Sequence, residues 1–179
     1  MALKSTIFKA VLSVSDIERN YYAEHALTLA RHPSETDERM MVRLLAFALN
    51  ASEALQFGRG LSTEEEPDLS EKDLTGAIEL WIEVGLPDER SVRKACGRAR
   101  QVKVYTYGGR AASLWWDQNR EGLQSLRNLS VIELPAESTQ ALGALAQRNM
   151  RLQCTIQDGL VWIDDGNSHV QIQPVEYGA

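Results

Sequence analysis

Gly76-Ala-Ile-Glu-Leu-Trp-Ile-Glu-Val-Gly-Leu-Pro-Asp-Glu89 reads as a buried strand with carboxylates on one face that runs on into a helix. Ile78, Leu80, Ile82 and Val84 point one way, and Glu79, Trp81 and Glu83 the other. An alternate face that is polar throughout is ordinary on a sheet open to water, whereas one that interleaves two carboxylates with a Trp is less so. Glu79 and Glu83 are separated by roughly 13 Å at about 3.3 Å per residue, too far to share one metal ion, so at most one of them belongs to a metal site. Gly85 ends the strand, and Asp88 stands where a helix cap is expected.

Outward from this stretch, residues 89–98 predict a basic helix and residues 101–107 an alternating strand. Strand, short helix, strand is a βαβ unit, so the two strands are expected to be parallel. Before them lies an acidic, turn-rich connection over 58–76 that contains Glu64-Glu65-Glu66-Pro67-Asp68. Ser34 is the expected N-cap of the longest helix, with Glu35 and Asp37 in its first turn. An apolar stripe from Met40 to Leu55 follows, with Gly58 and Gly60 as the stop. Residues 4–13 and 20–30 predict a hairpin around Ser15-Asp-Ile-Glu-Arg-Asn20. Downstream come a helix over 111–126, a strand over 129–134 and a helix over 138–149. Strands over 151–157, 160–163 and 169–175 complete the chain. The expectation is one α/β (α+β) domain over 1–179, a mixed sheet flanked by helices.

The chain has 179 residues, enough for a substantial core, with 44% hydrophobic and 25% charged residues. A net charge of −6 argues against non-specific duplex binding through a broad basic surface and leaves room for a local basic groove. Cys96 and Cys154 have no metal-type spacing and read as reduced thiols of a cytoplasmic protein. Lys4 and Lys9 interrupt the N-terminal segment, which lacks the apolar core of a signal peptide, and no run has transmembrane length. Three dispersed histidines do not support a His-based triad, and Gly108-Gly109 forms neither a dinucleotide fingerprint nor a phosphate loop. Asp158-Gly159 and Asp164-Asp165-Gly166 are turn signals.

Two constellations bear on chemistry. Asp68, after Pro67, and Glu83, at a strand end, are oxygen ligands of the kind that suit Mg²⁺, which keeps several waters and uses few protein ligands. The same residues also read as a solvated acidic loop and an ordinary strand-end carboxylate. Arg90, Lys94 and Arg98 stack along one helix face, with Arg93 beside them. That stripe reads as a phosphate contact, as partners for Glu79, Asp88 or Glu89, or as a solvated face. Trp115-Trp116 places at least one indole in the core.

Segments along the whole chain resemble the YaeQ family of bacterial proteins. They include Leu27-Thr-Leu-Ala-Arg-His-Pro-Ser-Glu-Thr36, Leu80-Trp-Ile-Glu-Val-Gly-Leu-Pro-Asp-Glu-Arg90, Trp115-Trp116 and Thr155-Ile-Gln-Asp-Gly159. The resemblance implies a variation on the PD-(D/E)xK restriction-endonuclease-like fold. In that superfamily an Asp after Pro and an acid-x-Lys triplet bind Mg²⁺, for which Mn²⁺ substitutes, and a Glu on the first helix often completes the site. Carried onto this chain, Asp68 is the first acid, with Glu66 as its alternative, and Glu83 is the second. Glu38 is the helix acid, with Glu35 as runner-up. The position of the motif Lys is held by Gly85, so the cation is expected from the following helix: Lys94, with Arg93 or Arg90 as alternatives. The 58–76 segment is short for a full strand before Glu83, so the N-terminal hairpin is expected to supply strands to the core. The implied functions are Mg²⁺-dependent cleavage of nucleic acid, or a catalytically inactive nuclease-fold factor that binds nucleic acid or protein. DNA versus RNA, and oligomeric state, are not legible at this level.

Overall fold

The structure, a computed structural model, describes residues 4–59 and 65–178. Among these, the elements run β1 (Thr6–Asp16), β2 (Tyr21–Arg31), α1 (Asp37–Leu49), β3 (Leu55–Phe57), β4 (Leu69–Lys72), β5 (Ile78–Val84), α2 (Glu89–Arg98) and β6 (Ala99–Thr106). They continue as α3 (Arg110–Leu123), β7 (Leu129–Glu133), α4 (Ala136–Gly143), β8 (Asn149–Gln157), β9 (Leu160–Asp164), β10 (His169–Ile172) and β11 (Val175–Tyr177). The strands form two mixed sheets where the sequence predicts one. The chain divides into two compact units, Met1–Ala51 with Glu137–Pro174, and Ser52–Ala136 with Val175–Ala179.

The first unit holds the sheet β10-β9-β8-β1-β2. β1 and β2 are the expected hairpin, paired antiparallel from Thr6 opposite Arg31 to Asp16 opposite Tyr21, and β8 lies parallel to β1. Strict period-two burial of Phe8, Ala10, Leu12 and Val14, matched by Met150, Leu152, Cys154 and Ile156, gives this sheet one apolar face. α1 begins later than expected. Thr36, not Ser34, is its N-cap and accepts the Arg39 amide, and Glu35 precedes the helix. It also stops earlier: Asn50 turns its side-chain amide onto Ala46 O, and Leu55 belongs to β3. Gly58 is therefore not a helix stop, and Gly60 lies outside the described residues. In place of a single stripe, nine consecutive residues from Met40 to Ala48 are buried, Arg43 among them. At 13 residues α1 is shorter than the 14-residue α3.

The second unit holds the sheet β11-β7-β6-β5-β4-β3. β5, β6 and β7 are parallel, as the βαβ reading requires, and β4 and β11 add antiparallel neighbours. Trp81, Val102, Val104 and Val131 on one sheet face pack with Val92 and Ala95 of α2 and with Trp115 and Leu123 of α3. The 58–76 connection does contain a strand, β4, antiparallel to β5, and the N-terminal hairpin lies in the other sheet. The last predicted strand, 169–175, is two. Pro174 has no N–H to offer a ladder, and the chain leaves one sheet there to pair as β11 with β7 in the other.

Candidate functional site

Leu69 of β4 lies opposite Ile82 of β5, and Ser70 opposite Trp81. The ladder ends at the first of these pairs, with Asp68 one residue before Leu69 and Glu83 one residue after Ile82. The Asp68 amide donates to Ile82 O at 3.0 Å, and its carboxylate Oδ2 accepts the Val84 amide at 2.8 Å. β3 fixes the other side, with the Gly58 amide on Asp68 O at 2.8 Å. Glu83 Oε1 accepts the indole Nε1–H of Trp81 at 2.7 Å, a contact that the i, i+2 spacing on one strand face makes possible. Asp68 is 2% exposed and Glu83 6%, so neither is the solvated carboxylate of the simpler reading. Burial of an ionised carboxylate is costly without such charge-assisted hydrogen bonds.

Gly85 follows at once. Its φ of +114° lies in the region that disfavours a side chain, although an added Cβ would meet nothing within 4 Å. Its amide donates to Tyr105 O at 2.9 Å, which carries β5 alongside β6 to its last residue. Backbone conformation, not lack of space, accounts for glycine where the implied motif has Lys.

The other candidates are distributed as follows. Glu79 pairs at the surface with Arg100 at 3.4 Å. Glu66 reaches Arg59 at 3.8 Å in an exposed pair, and Glu64 lies outside the described residues. Lys94 sits with Arg90, Arg93 and Arg98 on the exposed side of α2, whose buried residues are Val92 and Ala95. Asp88 caps that helix by accepting the Ser91 amide, a bond that lowers its pKa. Arg93 pairs with Glu89 at 3.0 Å and also donates to Gly122 O. Glu38 belongs to the first unit. It accepts the Thr139 hydroxyl at 3.0 Å, and a Cβ at Gly143 would come within 2.9 Å of its Cα, so it sits where α4 packs closely on α1. Glu35, in the same unit, is buried against Arg39 and Arg43, each at 2.6 Å.

Among the described residues, no group of three or more His, Cys, Asp or Glu side chains is arranged to hold a metal. Two carboxylates such as Asp68 and Glu83 are a donor type that fits Mg²⁺ in its common mode, with waters and substrate phosphate oxygens filling the remaining positions.

Sequence reasoning missed the cavity beside this pair. It has a volume of about 510 Å³, and its walls include Gln56, Ser70, Lys72, Trp81, Glu65 and Glu66. Gln56 lies opposite Ser70 and Ser70 opposite Trp81, so three consecutive strands contribute one row of side chains. No local pattern marks Gln56 or Ser70; only strand register brings them together. Of the paired tryptophans, Trp115 is buried and donates to Pro87 O at 2.7 Å. Trp116 stacks on Tyr177 at 4.7 Å. Burial, helped by a hydrogen bond to Glu133, raises the Tyr177 pKa to about 12. Burial pushes the Cys96 thiol up to about 11 and the Cys154 thiol up to about 12.

The sequence model of the YaeQ protein family matches residues 1–174. The chain is 49% identical over 172 residues to a protein of Escherichia coli K12 called uncharacterized protein YaeQ, covering 96% of this chain and 95% of that one. It is 50% identical over 173 residues to the protein of the same name from Salmonella typhi, covering 97% and 96%. Among solved structures, the YaeQ protein of Xanthomonas axonopodis pv. citri superposes with a TM-score of 0.94 at 52% identity, over 98% of this chain and 99% of that one. The YaeQ protein of Pseudomonas syringae superposes with a TM-score of 0.92 at 34% identity, over 98% and 97%. Among the described residues, no helix is long and apolar enough to cross a membrane.

Proposed function

The chain belongs to the YaeQ family, and from that premise and the two buried strand-end acids we propose a metal-dependent phosphodiester hydrolase of the PD-(D/E)xK type that acts on nucleic acid. The observation that carries this reading is that Asp68 and Glu83 adjoin the last pair of the β4–β5 ladder, Leu69 and Ile82, and that both are buried. Asp68 and Glu83 would hold Mg²⁺, or Mn²⁺ in its place, and a divalent cation between them would offset their mutual repulsion. When bound, such an ion polarises a phosphate oxygen and lowers the pKa of its water. The chain's own residues orient the ligands: the Val84 amide holds Asp68, and the Trp81 indole holds Glu83. Lys94, on the helix that follows β5, is the proposed source of the cation that stabilises developing negative charge.

A second reading is favoured by Gly85, whose backbone conformation excludes the motif Lys from its usual place. In it the chain is a nuclease-fold factor that binds nucleic acid or a protein without cleaving it.

The test is cleavage of labelled single- and double-stranded DNA and RNA by wild type and by Glu83→Gln, with Mg²⁺ or Mn²⁺. The hydrolase reading expects metal-dependent cleavage by wild type. In the variant it should fall by more than the roughly 100-fold that loss of an outer-shell partner costs, with thermal melting retained. Absence of cleavage of every substrate by wild type, or full activity in the variant, favours the binding reading.

A further inference from the structure

We infer that the cavity beside Asp68 and Glu83 receives an unpaired nucleotide, so that the preferred nucleic acid is single-stranded. This rests on the phosphodiesterase reading of the two acids and adds the substrate class. Gly58 and Pro67 line the cavity, and they adjoin Asp68 through the Gly58–Asp68 backbone bond and the chain itself. Trp81 links the two places: it lines the cavity, and its indole N–H is bonded to Glu83. Asp68 and Glu83 do not themselves line the cavity, but residues bonded to them do, which sets the cavity next to the strand-end acids.

The volume, about 510 Å³, falls within the range of roughly 300–1,000 Å³ that small-molecule sites occupy, and it suits one nucleotide rather than a helical segment. The lining joins apolar Phe57, Ile78 and Trp81 to polar groups of mixed sign. The Gln56 amide both donates and accepts, the Ser70 hydroxyl does the same, Lys72 donates, and Glu65 and Glu66 accept. Carboxylates repel a phosphate but accept hydrogen bonds from the N–H groups on the Watson–Crick edge of a base. The lining thus places the neutral base in the cavity and leaves the phosphate to the metal-binding acids. In a duplex that edge is engaged by pairing, and a base must leave the stack to enter a cavity, which costs energy that an unpaired strand does not spend.

The test uses the full chain carrying Glu83→Gln, so that binding is read without cleavage, with Mg²⁺ present. Fluorescence anisotropy compares a short labelled single strand, as DNA and as RNA, with the blunt duplex of the same sequence. The expected result is at least about tenfold tighter binding of the single strand. Adding Gln56→Trp, which fills the cavity from an exposed position on β3, should remove that preference. Lys72→Glu, also exposed, should weaken it and serves if the Trp variant melts early. Equal binding of single strand and duplex, no binding of either, or an undiminished preference in both cavity variants overturns the inference even if wild type proves to be a nuclease. A single-strand preference lost in the cavity variants, with no cleavage by wild type, leaves the nucleotide cavity standing and removes the hydrolase reading instead.

Discussion

Glu35 in the first unit and Glu83 in the second are both buried, and the hydrogen bonds that orient them differ in kind. Glu35 takes Arg39 on one oxygen and Arg43 on the other. Asp16, also buried in that unit, takes Arg19 at 2.6 Å and closes the β1–β2 turn, where Arg19 also donates to Ala51 O. Glu83 instead accepts an indole N–H, and Asp68 a backbone N–H. A guanidinium cancels a carboxylate's charge and staples two segments together. An N–H donor fixes a carboxylate's direction. The acids of the first unit tie segments of the chain together, and the strand-end acids of the second are the pair that the proposed function assigns to a cation.

The sharpest way to break this comparison is Arg43→Met. Removing one partner from a buried ion pair is expected to cost about 3–5 kcal/mol, read from urea unfolding of the full chain. A loss below about 1 kcal/mol would mean that Arg43 is no staple. Next in size is Gly85→Lys, which restores the implied motif in sequence but forces a side chain onto a φ of +114°. It is expected to cost about 1–3 kcal/mol and to leave nuclease activity no higher. A stable variant with raised activity would show that the position tolerates the motif cation. Glu83→Gln should be milder, within about 1 kcal/mol of wild type, because glutamine keeps an acceptor for the indole, so that buried donor is not left unpaired. A loss as large as that of Arg43→Met would put Glu83 in the structural class with Glu35.

The smallest effect concerns the thiols. Burial raises Cys154 from 9.0 to about 12, so the folded state keeps the proton that the unfolded chain gives up first. The stability this contributes is fully present below pH 9.0 and is lost as pH rises towards about 12. Cys96 acts in the same direction, with burial raising it to about 11. Urea midpoints across this alkaline window should fall less steeply in Cys154→Ala than in wild type. An unchanged slope would contradict a buried, protonated thiol.

Sequence patterns were legible where the signal is local. The alternation of Ile78–Val84, the Asp88 cap and the strand after it specify β5–α2–β6, parallel strands included, and the β1–β2 hairpin follows from its turn residues. Sheet membership was not legible, because period-two burial identifies a strand but not its neighbour. Two sheets and the split at Pro174 therefore emerged only in three dimensions. β3 and β4, of three and four residues, are too short to show a period. At the site, Glu83 and its same-face Trp81 are two residues apart, and their contact follows from strand geometry. That Asp68 and Glu83 come to the same end of the β4–β5 ladder depends on register, and the burial of both depends on packing. Glu38 reads as a helix acid, yet its Thr139 partner lies 101 residues away, beyond any local pattern.

The most direct measurement is calorimetric titration of Mg²⁺ and Mn²⁺ into wild type and Glu83→Gln. The account predicts binding in the low-millimolar range or tighter, weakened by more than about tenfold in the variant while its melting temperature holds. Equal binding by the two proteins, or none by wild type, would contradict the claim that Asp68 and Glu83 form a cation site.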